Sequence, residues 1–337
     1  MRALAVEAPG HARVVDRLEP SPRAGEALVR VAYVGLCGTD LGTFTGKNPL
    51  VTYPRVIGHE ISGTVVDVAA GVDRSWLDRP VAINPYKHCG RCSACQVGRP
   101  NACRNNETLG VQREGALAEF VAVPVERLVP SSRLPLDVLA LVEPFSIGMH
   151  VVVRTDVTDR DTVLVIGCGG VGTGAVAAAS ARGARVIGLD VDAGKRALAH
   201  QFGASDTVDA TSPDAADEIR ALTGGEGPSV AIEAAGLPAT YQFALEIVAS
   251  AGRIGCLGWL KGEVPLEARL IVFKEVTLLG SRNATGELAA VVQMFEAGRI
   301  DPMRVVTDRV RLDEAPATMA RWARAPGGVG KILVAVD

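Results

Sequence analysis

The stretch Thr162-Val-Leu-Val-Ile-Gly-Cys-Gly-Gly-Val-Gly172 decides how the rest of the chain is read. It opens as a run of aliphatic, largely β-branched residues, the composition of a strand buried in a parallel sheet. It then passes through Gly167, Gly169 and Gly172, in G-x-G-x-x-G spacing, into a helix of small residues expected over Thr173 to Ala181. The first glycine permits a tight turn, the second a close backbone approach, and the third close packing of helix on strand. The helix N-terminus, with Gly170 and Val171 in its turn, offers free N–H groups to a pyrophosphate. A second strand is expected at Ala184 to Leu189, and Asp190 stands at its end, 23 residues after Gly167. A carboxylate there accepts hydrogen bonds from the ribose hydroxyls of NAD. A glycine cluster alone is an ordinary turn; the strand before it, the helix after it and the acid beyond it make this one a dinucleotide site.

Outward from this stretch, residues 148–284 alternate between strands and helices. Further strands are expected at Thr207–Val208, Ser229–Glu233, Arg253–Leu257 and Val276–Leu279. Six parallel strands make a full dinucleotide-binding sheet. Residues 1–147 read instead as β-rich, with short runs at Arg2–Val6, Val14–Arg17, Ala27–Tyr33, Ser62–Val68, Val81–Ile83 and Ala118–Val123, punctuated by Gly, Pro and Asp. Ala140 to Arg154 reads as a helix joining the two domains. In the segment 285–337, an amphipathic helix is expected at Glu287 to Ala297 and a last strand at Lys331–Val336. That strand is expected to return to the first domain, making the nucleotide domain an insertion. The fold class is therefore α/β.

Of the 337 residues, 48% are hydrophobic and 22% charged, with a net charge of −3. This is a globular composition with nothing to draw nucleic acid or an anionic membrane. A zinc-ribbon nucleic-acid binder is disfavoured for the same reason. No apolar run is long enough to span a bilayer, and Met1-Arg-Ala-Leu-Ala-Val-Glu-Ala-Pro9 is too soon interrupted for a signal peptide. A cytoplasmic location is the expectation.

Four of the seven cysteines fall in Cys89-x2-Cys92-x2-Cys95-x7-Cys103. Four thiolates in one short Gly- and Arg-rich loop can close a tetrahedral structural zinc site, with His88 a bystander. A second constellation is Cys37-Gly-Thr-Asp40, Gly58-His-Glu60 and Glu143-Pro144. Each part alone is weak, since a buried Cys or His is usually core. Together they supply a thiolate, an imidazole and carboxylates for a zinc with one position open. Asp40 is placed to orient the His59 ring, and Thr39 to carry a proton between a bound hydroxyl and solvent.

These motifs, over essentially the whole chain, resemble the zinc-dependent medium-chain dehydrogenases. The resemblance implies a GroES-like β-barrel catalytic domain, a Rossmann domain, two zinc ions per chain, NAD, and a homodimer or homotetramer built partly on the nucleotide domains. It implies Cys37, His59 and either Glu60 or Glu143 as catalytic zinc ligands. Glu at position 143 resembles the polyol branch, in which Glu60 binds directly and Glu143 holds the zinc water. Gly42 stands where many of the family's alcohol dehydrogenases carry a relay histidine. The resemblance also places Lys331 near the cofactor pyrophosphate and Lys195 at the adenosine ribose.

The expected reaction is oxidation of a small-molecule alcohol: the zinc acidifies a hydroxyl, hydride passes to the nicotinamide, and Thr39 relays the proton. Finer likeness, in Asn48-Pro-Leu-Val-Thr-Tyr-Pro-Arg55, Leu141-Val-Glu-Pro-Phe145, Gly258-Trp-Leu-Lys-Gly262 and Gly280-Ser-Arg-Asn-Ala-Thr285, is to L-galactonate and L-gulonate 5-dehydrogenases. Arg282 is expected to clamp a carboxylate, and Asn283 and Lys47 to bind sugar hydroxyls. The rival substrates are a neutral polyol such as sorbitol and, further behind, L-threonine. The rival of another class is a non-enzymatic zinc protein that senses NAD, which intact ligands at both metal sites disfavour.

Overall fold

In the computed structural model, which describes residues 1–336 other than Lys261, Thr285 and Pro326, Thr162–Ile166 lies inside a six-stranded parallel sheet. The strand order is Asp206–Asp209, Arg185–Asp190, Thr162–Ile166, Val230–Glu233, Arg253–Cys256 and Thr277–Gly280. The first three strands run outward to one edge and the last three to the other. The reversal of order beside Thr162–Ile166 is the switch point at which ligands bind such sheets. Burial of Val163, Leu164, Val165, Ile187, Val230, Ala231 and Ile232 on both faces explains why these strands read as continuous apolar runs. Their core includes Leu164, Ile166, Ile187, Leu189, Ile219, Ala231 and Ile254.

The helix after the glycine turn spans Gly170–Ala181, starting three residues before the small-residue run begins. Gly169 is its N-cap, with no side-chain cap. Gly167 has φ +92°, and a Cβ on Gly172 would stand 1.8 Å from the Gly167 carbonyl oxygen. Both positions therefore require glycine, one for conformation and one for contact.

The chain packs as two units. One holds Met1–Glu143, Leu288–Ala297 and Pro302–Asp337; the other holds Pro144–Glu287 and Gly298–Asp301. The division at Glu143/Pro144 falls inside the helix Val142–Arg154.

The first unit is built on an antiparallel core of Leu128–Pro130, Pro80–Ile83, Glu60–Val68 and Glu26–Leu36, with Phe120–Pro124 also pairing on Glu26–Leu36. Lys331–Ala335 returns to it, antiparallel to Glu26–Leu36, with Ile332 opposite Leu36. A smaller sheet joins His11–Asp16, Arg2–Ala8 and Arg55–Val56. Leu4, Val29, Val34, Ile57, Ile61, Ile83, Leu117 and Val334 fill the core. Val306–Arg311, parallel to Lys331–Ala335, is a strand the sequence reading did not expect. Its alternating burial fits an edge strand, but the charges in Val-Thr-Asp-Arg-Val-Arg mask the signal. The two-residue strands Tyr86–Lys87 and Glu107–Thr108 were also unexpected, being too short for any periodicity.

Among the described residues, no helix is long and apolar enough to cross a membrane. Two residues of the quoted motifs, Lys261 and Thr285, lie outside the described residues.

Candidate catalytic and cofactor sites

Cys37 sits where the strand Glu26–Leu36 gives way to the helix Gly38–Phe44. It is that helix's N-cap, its Sγ accepting the Thr39 N–H at 3.2 Å. The neighbouring strand Glu60–Val68 begins directly after His59. The two loops converge so that Cys37 Sγ lies 3.0 Å from His59 Nε2. Gly58 makes the approach possible: it has φ +99°, and a Cβ there would meet the Leu117 nitrogen at 2.9 Å.

Cys37, Asp40 and His59 bring ligand atoms within 4.8 Å of one another, and so do His59, Glu60 and Glu143. All but Cys37 are buried. Burial would push the His59 imidazole down, but Cys37 and Asp40 outweigh it and hold the ring well above its ordinary value. Burial pushes Glu143 up to about 7. So many acidic groups around one imidazole favour positive charge at their centre. His59 Nδ1 is buried with no partner, which leaves Nε2, on the Cys37 side, as the donor aimed at that centre. The set fits a zinc bound through sulfur, nitrogen and a carboxylate.

Three placements refine the expectations. Asp40 Oδ1 stands 3.8 Å from His59 Nδ1, beyond hydrogen-bond length. Its carboxylate is spent on backbone instead, accepting the N–H of Cys37 at 3.0 Å and of Gly58 at 3.3 Å. It thus orients both ligand loops through the main chain.

Lys331, which the resemblance put at the cofactor pyrophosphate, here has its ammonium on Glu60, 2.6 and 2.7 Å from the two oxygens. The returning strand delivers it beside Leu36, whose carbonyl it also reaches at 3.3 Å. Two charges buried side by side are held together by the cost of leaving either unpaired. Burial would push Lys331 down, and Glu60 more than offsets it.

Tyr86 was not foreseen. It is buried, and its hydroxyl donates to Glu143 Oε1. Burial, then Glu143, push its phenol well above the ordinary value, so it stays a donor. Gly35 was also missed. It pairs in register with Glu60, and a Cβ there would stand 2.0 Å from Glu60 Oε2. Tyr86 and Glu143 lie 57 residues apart, so neither contact leaves a local sequence signal.

The four-cysteine loop brings its sulfurs together. The Sγ atoms of Cys92–Cys95, Cys92–Cys103 and Cys89–Cys103 lie 3.5, 3.7 and 3.5 Å apart. Four sulfurs at the usual zinc–thiolate distance sit about 3.8 Å apart on a tetrahedron, so the spacing fits one metal. The backbone N–H groups of Cys95 and Arg104 pull the Cys92 thiol down to about 6, while burial pushes the Cys95 thiol up to about 11.

In the second unit, Cβ atoms built on Gly169 and Gly170 meet nothing within 4 Å, and the helix they open is uncapped. A helix start of this kind can accept an anionic group on its N–H groups. Asp190 is buried at the end of its strand and accepts the N–H of Cys168 at 2.8 Å and of Asp192 at 2.9 Å. These bonds fix the carboxylate beside the glycine turn. Val171 and Lys195 are exposed, Lys195 in the first turn of the helix Ala193–Gln201. Arg196, unremarked in the sequence reading, donates to the Asp190 carbonyl at 2.8 Å and to Asp209 at 2.9 Å.

Arg282 is exposed, two residues beyond the carboxyl end of Thr277–Gly280. Asn283 follows with φ +53°, and its Nδ2 is buried with no partner. Lys47 is exposed in the first unit.

Comparison with known proteins identifies the family of the two domains. Residues 23–135 match the alcohol dehydrogenase GroES-like domain, and residues 170–297 the zinc-binding dehydrogenase domain. L-galactonate-5-dehydrogenase of Escherichia coli strain K12 is 34% identical over 291 residues, 86% of each chain. The crystal structure of an alcohol dehydrogenase from Escherichia coli CFT073, complexed with NADH, aligns at TM-score 0.93 with 27% identity, over 100% of this chain and 99% of that one. A protein of Sinorhizobium meliloti 1021 assigned as a zinc-binding dehydrogenase and bound to NADP aligns at TM-score 0.91 with 32% identity, over 99% of both chains.

Proposed function

This chain belongs to the zinc-dependent medium-chain dehydrogenases, on their polyol and sugar-acid branch, and from that premise we propose that it oxidises a secondary hydroxyl of a sugar acid of the L-galactonate or L-gulonate type to a keto acid. Its cofactors are zinc and NAD.

In this reading Cys37 Sγ, His59 Nε2 and a Glu143 oxygen hold the catalytic zinc, and Cys89, Cys92, Cys95 and Cys103 hold the structural one. The commitment of both Glu60 oxygens to Lys331 supports Glu143 as the third ligand. Gly167, Gly169, Gly170, Val171 and Gly172 receive the pyrophosphate, and Asp190 and Lys195 the adenosine ribose. When bound, zinc supplies Lewis acidity and the nicotinamide accepts hydride. Asp40 keeps the two ligand loops in register, and Thr39 Oγ1 takes the hydroxyl proton and passes it to solvent, with no histidine at position 42 to extend the route.

Arg282 carries the choice of an acid over a neutral polyol. It is an exposed guanidinium just past the carboxyl end of the last strand, where α/β sheets bind ligands. It would clamp the carboxylate bidentately, with Asn283 beside it for a hydroxyl. The identity to an enzyme named for L-galactonate points the same way. The assembly is proposed to be a homodimer or homotetramer.

One initial-rate panel tests the substrate: aldonates, alditols, L-threonine and simple alcohols. Aldonates should have the highest kcat/KM, and Arg282→Ala should hurt them far more than the matching alditols. Ethanol and 2-propanol should be very poor, since a site built for polar groups rejects analogues lacking them, by up to about 10⁴-fold. If alditols match or beat aldonates in the wild type, the polyol reading replaces this one.

A further inference from the structure

Tyr86 stands between the four-cysteine loop in the chain and Glu143 in space. It lies on the strand Tyr86–Lys87, which pairs antiparallel with Glu107–Thr108, Tyr86 opposite Thr108 and Lys87 opposite Glu107. This ribbon is the neck of the four-cysteine loop: Cys89 follows one strand and Cys103 precedes the other. The neck is fastened along its length. Lys87 Nζ pairs with Glu107 at 2.7 Å. The Asn106 N–H donates to the Cys103 carbonyl at 3.2 Å, and the Leu109 N–H to the Pro85 carbonyl at 3.1 Å. The Tyr86 N–H donates to Asn84 Oδ1 at 3.0 Å, and its carbonyl accepts from Arg127. With both ends of its backbone held, the ring is buried and its hydroxyl reaches Glu143.

We propose that Tyr86 is a positioning residue that couples the four-cysteine loop to the catalytic metal through its hydrogen bond to Glu143. The inference rests on Glu143 being a catalytic zinc ligand. Metal in the loop sets the spacing of Cys89 and Cys103, and that spacing sets the register of the neck. The neck sets the height of the Tyr86 hydroxyl, which donates to one oxygen of Glu143 and so orients its carboxylate. Partners that orient a ligating carboxylate typically change metal affinity 10- to 100-fold when removed. The four-cysteine site is therefore more than a staple for a loop without its own core: its occupancy reaches the reaction centre.

Tyr86→Phe removes only the hydroxyl and keeps the buried ring. Full-length protein carrying it should keep the loop zinc and its melting temperature, yet lose catalytic-zinc affinity about tenfold in competition with a chromophoric chelator. With cobalt at the catalytic site, its d–d absorption bands should shift while the Cys37 thiolate-to-metal band persists; a merely structural role would move neither. Cys103→Ser should weaken the catalytic site in wild type and add little to Tyr86→Phe, the non-additivity that marks one shared route. Unchanged affinity and spectrum in Tyr86→Phe, with Glu143→Gln losing metal, would overturn the coupling and leave the ligand reading standing. Unchanged affinity in Glu143→Gln would overturn the ligand reading and the coupling with it. Full additivity of Cys103→Ser and Tyr86→Phe would overturn the loop's part in it.

Discussion

Lys331 and Glu60, 271 residues apart in the chain, form a buried two-pronged ion pair with Nζ 2.6 and 2.7 Å from the carboxylate oxygens. The pair joins the strand Lys331–Ala335 to the cluster of His59, Glu60 and Glu143. Gly35 makes room for it: a Cβ there would overlap Glu60 Oε2.

Lys331→Met should therefore leave a buried carboxylate without its partner and cost about 3–5 kcal/mol, read as a lower urea midpoint. Adding Glu60→Gln should recover much of that loss. Gly35→Ala should resemble Lys331→Met, because displacing the carboxylate breaks the same pair. A Lys331→Met protein as stable as wild type would show that the pair is not held as described.

Two zinc ions per chain are expected from freshly purified, chelator-free protein, because each of the two donor sets gathers around its own centre. Cys37→Ser should remove one zinc and the activity while the fold persists. Cys92→Ser should remove the other and lower the melting temperature first. A single zinc in the wild type would refute the two-site reading.

Cofactor preference should be NAD over NADP. Asp190, fixed by two backbone N–H groups, would accept ribose hydroxyls and repel a 2′-phosphate. Asp190→Ala should lose most of the discrimination, with Lys195 and Arg196 left nearby to accept the phosphate. Equal kcat/KM for the two cofactors in the wild type would show that Asp190 does not set the choice.

Thr39→Val should retain both zinc ions, since Thr39 contributes only its backbone N–H to Cys37 Sγ, and should lose most of the turnover. General acid–base steps of this kind contribute about 10²–10⁴-fold. Near-normal rates would exclude Thr39 as the proton carrier.

The nucleotide domain has its own acid-sensitive clamp. Asp161 accepts from the Thr158 N–H and the Ser229 hydroxyl, each at 2.8 Å, and pairs with Arg253. Burial pushes its carboxyl up, but these partners outweigh it and hold it below its ordinary value. A depressed folded-state value stabilises above the unfolded one, about 3.8, and the contribution fades as pH falls through the folded value. Asp161→Asn should cost about 1.5–3 kcal/mol near pH 7, and the gap from wild type should close below about pH 3.8. A pH-independent gap in urea unfolding would mean the charge is not what stabilises.

Much of this protein was legible before its coordinates. The apolar run into Gly167-Cys-Gly-Gly-Val-Gly172 dictates strand, turn and helix, because only glycine tolerates the φ of Gly167 and the contact at Gly172. The six sheet strands and the returning Lys331–Ala335 strand followed from local composition. The four clustered cysteines are close in sequence and need little folding to meet. Tertiary structure decided what sequence separation hides. Asp40 accepts its hydrogen bonds from backbone N–H groups and acts on the His59 ring through charge alone. Lys331 answers to Glu60, and Tyr86 holds Glu143. The edge strand Val306–Arg311 forms despite its charges because a neighbouring strand supplies its hydrogen bonds. Each of these turns on a buried polar group finding a partner, often far along the chain. A sequence names the groups that must be satisfied, and only the packed chain says by whom.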